Sequence, residues 1–185
     1  MSPADTEGVV EAMPGAVLER ERKYRLDETL ARELRLQLAE IGEHVRQEFQ
    51  VTEVLDHPDL GLREKGEVLR LRWTNGDLEL TYKPALVRQG KDKVRRELTV
   101  PITSQVQTLL GALGFAPVVR YVKETEVFAI GDVLVFVDHV EDLGWFCEIE
   151  ARDEGSDLEM IAGLLHLGTE RLEESTYPEM IARAR

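Results

Sequence analysis

Polar and apolar positions alternate along much of this chain, and the polar ones are mostly charged. From Val17 to Arg25 the residues read VLERERKYR. Successive side chains of a strand point to opposite faces, so Glu19, Glu21, Lys23 and Arg25 share one face while Leu18 and Tyr24 share the other. Arg20 and Arg22 are expected to meet solvent. The same split recurs further along. Arg70 and Arg72 oppose Leu69, Leu71 and Trp73; Glu79, Thr81 and Lys83 oppose Leu78, Leu80 and Tyr82; Glu148 and Glu150 oppose Cys147 and Ile149.

This period-two pattern predicts eight strands, near 17–25, 45–56, 67–73, 77–84, 92–100, 118–129, 132–139 and 144–152. Short links such as AsnGly at 75–76 and GlyAsp at 131–132 make antiparallel hairpins the natural connection. Helical spacing appears in four places. Leu30, Leu34, Leu38 and Ile41 follow a cap at Asp27 and stop at Gly42. A second run from about Thr103 carries Val106, Leu109, Leu110 and Leu113 and ends at Gly114. Ser156 with Glu159, and Thr176 with Glu179, form capping-box patterns ahead of two C-terminal helices, the second with Pro178 in its first turn. Residues 1–15 read as a loose tail and 16–185 as one domain, with a mobile loop at 89–92.

Strands with one apolar and one doubly charged face usually lie half in water. Here the helices supply enough apolar surface to cover the outside of a closed sheet, and eight strands can close into a barrel. The expected fold is therefore α+β: an eight-stranded antiparallel barrel with a charged lumen and helices packed outside. Buried charge is costly unless a ligand of matching chemistry shares the space. Glutamate pairs at 19 and 21 and at 148 and 150 place hard oxygens about 7 Å apart along a strand, which suits magnesium or manganese. Arginine and lysine pairs suit phosphate oxygens. Carboxylates and cations in one cavity point to a polyphosphate.

Composition narrows the classes. The chain has 185 residues, 43% of them hydrophobic, enough for one substantial core. Its net charge of -13 excludes a uniformly basic nucleic-acid footprint, so any anion site must be local. There is no apolar run of membrane-spanning length and no secretory signal pattern, which makes the cytoplasm the expected compartment and a membrane an unexpected partner. The single cysteine, Cys147, allows no internal disulfide and reads as core. His44, His57, His139 and His166 have no metal-binding spacing. Trp73 and Trp145 read as packing.

The run GluArgGluArgLys at 19–23 resembles the ExExK signature of the CYTH superfamily, the triphosphate tunnel metalloenzymes. The likeness continues in order through AspHisProAsp at 56–59, LeuArgLeuArg at 69–72, LeuThrTyrLys at 80–83, ArgArgGlu at 95–97, LeuGlyPhe at 113–115, Lys123, Asp138, LeuGlyTrpPheCysGluIleGlu at 143–150 and SerThrTyrProGluMet at 175–180. The last two lean toward the branch labelled class IV adenylate cyclase-like. The resemblance implies metal ligation by Glu19, Glu21, Glu148 and Glu150, with Asp138 as a further ligand or as an acid behind the ligands. It implies phosphate binding by Lys23, Arg70, Arg72, Lys83 and Lys123, and strand parity adds Arg95 rather than Arg96.

The family pattern is not complete. Many relatives place an arginine two residues after the equivalent of Lys123, where this chain has Thr125, and the RxExE pattern ends in Thr99. Arg120 compensates only if a bulge shifts the facing of its strand. The expected activity is metal-dependent processing of a triphosphate, with Mg2+ or Mn2+ as cofactor and tripolyphosphate, ATP or a similar molecule as partner. Hydrolysis of inorganic triphosphate or another triphosphate comes first. Cyclisation of ATP to cyclic AMP and pyrophosphate, and triphosphate binding with little turnover, stay open, as does a homodimer.

Overall fold

A computed structural model describes residues 13–153 and 155–184. Most of the expected N-terminal tail, residues 1–12, lies outside the described residues.

Nine strands follow in chain order: β1 (Val17–Leu26), β2 (Glu43–Asp56), β3 (Val68–Thr74), β4 (Asp77–Lys83), β5 (Val87–Gln89), β6 (Asp92–Pro101), β7 (Ala116–Ile130), β8 (Val133–Val140) and β9 (Gly144–Ala151). They form one antiparallel sheet in the order β1-β9-β8-β7-β2-β3-β4-β6-β5, and a further pairing of β1 with β6 closes it. The barrel thus has the eight expected strands, and β5 is an addition. Val94 of β6 pairs with Arg20 on β1 and with Val87 on β5, so β5 must lie on the β4 side of β6. Pro84 interrupts that side, lacking the N–H a continuous strand would need.

The hairpin turns follow their residues. Asn75 and Gly76 both take positive φ, 50° and 105°, between Thr74 and Asp77, as a two-residue primed turn requires. Gly131 takes φ 58° between Ile130 and Val133.

Among the described residues five α-helices sit outside: α1 (Glu28–Ile41), α2 (Gly61–Glu64), α3 (Ser104–Ala112), α4 (Leu158–Leu164) and α5 (Tyr177–Ala184). Asp27 caps α1 by accepting from the Leu30 amide at 2.9 Å. Leu34 and Leu38 of α1, Ile161 of α4 and Leu165 at its C-cap pack on Tyr24, Val135, Val137, Cys147 and Ile149, the outward faces of β1, β8 and β9. Met180 and Ile181 of α5 pack with Val119, Val140 and Phe146. Apolar residues outside and charged residues inside is the inversion that the alternation implied. Among the described residues no helix is long and apolar enough to cross a membrane.

Two local expectations change. The cap of α4 is Asp157, which accepts from the Met160 amide at 2.9 Å, while Ser156 turns back to Asp153 and Glu159 turns to Arg22 and Lys91. Thr176 and Glu179 do cap α5 reciprocally. Arg20 and Arg22 lie outside the lumen as parity requires, but they are not solvated: both pair with Asp92, and Arg22 also meets Glu159, beneath the start of α4.

Candidate active site: an ion-paired tunnel

Inward residues of all eight barrel strands surround a cavity of about 700 Å³. Glu19, Glu21 and Lys23 of β1, Arg70 and Arg72 of β3, Lys83 of β4, Arg95 of β6, Lys123 of β7 and Glu148 and Glu150 of β9 all line it. These are the sequence-predicted site residues other than Asp138, brought to one space from six strands. Thr176, Tyr177 and Pro178 contribute from the start of α5. The Lys23 ammonium lies 3.5 Å from the Ser175 carbonyl oxygen and 3.6 Å from the centre of the Tyr177 ring, so the C-terminal segment forms part of the wall.

The charges are paired across the lumen. Lys83 reaches both Glu19 and Glu97 at 2.6 Å, and Arg95 donates to Glu19 at 3.3 Å. Burial disfavours the charged form of Glu19, yet Lys83 and Arg95 together hold its carboxyl below the usual range. Glu97 is held low against burial by Arg70 and Lys83, and Arg70 lies 3.1 Å from it. Glu148 is held low in the same way by Lys23, at 3.1 Å, and by Lys123. Arg72 donates to the Thr52 hydroxyl at 3.2 Å.

Glu150 differs. Burial, and next the charge of Glu19, push its pKa up to about 7, and Arg152 is its ion-pair partner at 3.2 Å. Glu150 stands directly opposite Glu21 in the pairing of β1 with β9, an arrangement that is unfavourable for two like charges. Negative charge is therefore in excess at this point of the wall, and the donors are hard oxygens. That chemistry fits a small divalent cation. Among the described residues no three acids converge closely enough to hold an ion as they stand. Lysines and arginines pair with Glu19 and Glu148, and an ion entering the lumen would have to exchange with them.

Asp138 is expected as a further ligand or as an acid behind the ligands. It is fully buried, and it accepts from Lys123 Nζ at 2.9 Å, Thr125 Oγ1 at 2.7 Å and the Tyr177 hydroxyl at 2.7 Å. Three donors share its two oxygens and tie it to the wall behind the lining residues. Thr125 thus supports Asp138 from inside the wall. Arg120 does not compensate for a missing arginine: it points outward, 59% exposed, toward Glu53. The irregularities in the pairing of β2 with β7 leave the facing of residue 120 unchanged.

Some residues of the site carry no expectation from the sequence. Glu97, which parity puts with Arg95, lines the lumen; Lys93 shares that face of β6 and parity extended by two residues would have found it. Tyr121, whose phenol is drawn below its usual pKa against burial by Arg72, Arg70 and Lys123, belongs to the inward face of β7. Tyr177 carries no such signal, since it lies in the first turn of a helix.

A closed antiparallel barrel whose interior is lined by matched acids and cations defines a tunnel protein for a highly charged ligand. The CYTH domain family matches residues 18–176, and the chain belongs to that family. A Pyrococcus horikoshii protein of known structure is 30% identical, with a TM-score of 0.77, over 90% of this chain and 99% of its own. A Hippeastrum protein described as a putative adenylyl cyclase with a dominant triphosphatase activity has the same fold, with a TM-score of 0.71 at 14% identity over 91% of this chain and 96% of that one. Among curated sequences, a Methanocaldococcus jannaschii protein named a putative adenylate cyclase is 29% identical over 116 residues, 62% of this chain and 66% of its own length.

Proposed function

We propose that the tunnel binds a triphosphate together with a divalent cation and hydrolyses it at the terminal phosphorus. The observation that carries this reading is the lumen's double set of charges. Acids on β1 and β9 fit a hard cation, and the cations of β1, β3, β4, β6 and β7 fit phosphate oxygens. Family membership and the triphosphatase activity of the Hippeastrum protein support it.

Glu19, Glu21, Glu148 and Glu150 would hold Mg2+ or Mn2+. A bound divalent ion neutralises phosphate oxygens and lowers the energy of the charge that develops on the leaving group. Lys23, Arg70, Arg72, Lys83, Arg95 and Lys123 bind the phosphate oxygens, the arginines with planar forks that suit two oxygens at once. Tyr177 and Asp138 fix the Lys123 ammonium. Because the lumen charges are paired with each other, ligand binding swaps one set of ion pairs for another and strands no charge. Water adds to the terminal phosphorus, its proton passes to a lumen carboxylate, and the bridging P–O bond breaks to release pyrophosphate from tripolyphosphate.

A second reading keeps the same site. If the ribose 3'-hydroxyl of ATP attacks its alpha phosphorus, the products are cyclic AMP and pyrophosphate; the name of the Methanocaldococcus jannaschii relative favours this outcome. Incubating the purified protein with tripolyphosphate or ATP and Mg2+ or Mn2+, then resolving the products, separates the two. Orthophosphate released together with pyrophosphate from tripolyphosphate, or together with ADP from ATP, supports hydrolysis. Cyclic AMP as the main product overturns it, and binding without product from either substrate leaves only a triphosphate-binding module.

A further inference from the structure

Four lysines face the lumen or its wall, and three of them have a carboxylate oxygen within hydrogen-bonding distance. Lys23 pairs with Glu148 at 3.1 Å, Lys83 with Glu19 and Glu97 at 2.6 Å, and Lys123 with Asp138 at 2.9 Å. Lys93 is the exception. It is 3% exposed, and its ammonium is buried without a hydrogen-bond acceptor among the described residues. Its nearest carboxylate oxygen, on Glu21, is 3.7 Å away.

That gap is informative because a closer contact was within reach. Lys93 stands directly opposite Glu21 in the pairing of β1 with β6, and its four-carbon stem is flexible. A lysine whose role was to neutralise Glu21 would donate to it. A buried ammonium has three donors, and leaving all of them unmet is unfavourable unless something else supplies the acceptors. Parity puts its side chain on the face of Arg95 and Glu97, both of which line the cavity. Lys23 stands two residues beyond Glu21 on the same face of β1, so two ammonium groups share this part of the wall. Lys93 sits just behind the residues that line the cavity, beside Glu21. On β3, whose Arg70 lies 3.1 Å from Glu97 of β6, Arg70 Nε is likewise buried with no acceptor. Unmet cationic donors at and behind the cavity wall on two strands call for an oxyanion.

We propose that Lys93 is a further phosphate-binding residue, which with Lys23 takes oxygens of a phosphate group at the end of the tunnel covered by the 175–178 segment. The assignment rests on the reading of the tunnel as a triphosphate site. It gives that site a cation from β6 in addition to Arg95.

The test compares wild type, Lys93→Met and Lys93→Arg by thermal melting and by calorimetric titration with inorganic tripolyphosphate in Mg2+ buffer. Methionine keeps the volume and removes a buried ammonium that makes no hydrogen bond in the free protein and only a long ion pair, 3.7 Å, with Glu21. Lys93→Met is therefore expected to melt at or above the wild-type temperature without ligand, and to bind tripolyphosphate about 10- to 100-fold more weakly. Lys93→Arg should recover most of that loss. Affinity within twofold of wild type in Lys93→Met overturns the assignment, and so does a ligand-free melting temperature below wild type, or failure to fold, which would make Lys93 structural. If wild type itself shows no binding, the triphosphate reading falls with it; normal wild-type binding beside an unaffected Lys93→Met removes the Lys93 assignment alone.

Discussion

The hydroxyl of Tyr177 donates to Asp138 at 2.7 Å, tying the first turn of the C-terminal helix to the wall of the tunnel. The same carboxylate holds Lys123, and the same ring lies 3.6 Å beneath the Lys23 ammonium. One contact therefore fixes two cations of the site. Removing the hydroxyl in Tyr177→Phe should cost about 1–3 kcal/mol, the usual loss for a hydrogen bond to a charged group. Asp138→Asn leaves Lys123 with a weakened partner in a dry wall and should cost more, about 3–5 kcal/mol. Urea unfolding of both variants measures the order; equal stability of Asp138→Asn and wild type would contradict the geometry.

The raised pKa of Glu150 predicts a pH dependence with a definite sign. Its folded pKa is about 7 against an ordinary glutamate value of 4.5, so between these values the folded chain holds a proton that the unfolded chain has released. The cost of Glu150 is absent below about pH 4.5, grows through that window and is complete above about 7, on the order of 3 kcal/mol at most. In the presence of a chelator, Glu150→Gln should match wild type near pH 5 and be the more stable near pH 8. Mg2+ should shrink the difference at high pH, because the cation pairs with the charge that the variant lacks. Melting curves at the two pH values, with and without Mg2+, check both statements.

Metal dependence can be tested without turnover. Glu19→Gln with Glu21→Gln removes two carboxylates from β1, while Lys83 keeps Glu97 as a partner at 2.6 Å. The double variant should fold and lose the increase in melting temperature that Mg2+ or Mn2+ gives wild type. A wild-type response to either ion in the variant would place the metal elsewhere.

Much of the tunnel was legible because a strand forces strict parity on its side chains. Once Glu19, Glu21 and Lys23 shared a face with one another and not with Leu18 or Tyr24, the lumen followed, and the helices had only one apolar surface to cover. What parity does not register is contact between elements distant in sequence. Arg20 and Arg22 face outward as expected, but the sequence has no local signal that Asp92 and the start of α4 bury them. Asp157 and Ser156 are both good caps one residue apart, and the competing bonds of Ser156 to Asp153 decided between them. The role of Asp138 depended on Tyr177, thirty-nine residues away on a helix. β5 has only three residues, too few for alternation to stand out.

The central claim is that Arg70 and Arg72 face a triphosphate inside the barrel. Calorimetric titration of tripolyphosphate in Mg2+ buffer into wild type and into Arg70→Ala with Arg72→Ala tests it most directly. Both arginines line the cavity, and Glu97 keeps Lys83 when Arg70 is gone, so the variant retains its fold. The account predicts saturable binding at one site in wild type and affinity about 100-fold or more weaker in the variant, from two lost charge-assisted contacts. Equal affinity in the two proteins, or no binding to wild type, would contradict it.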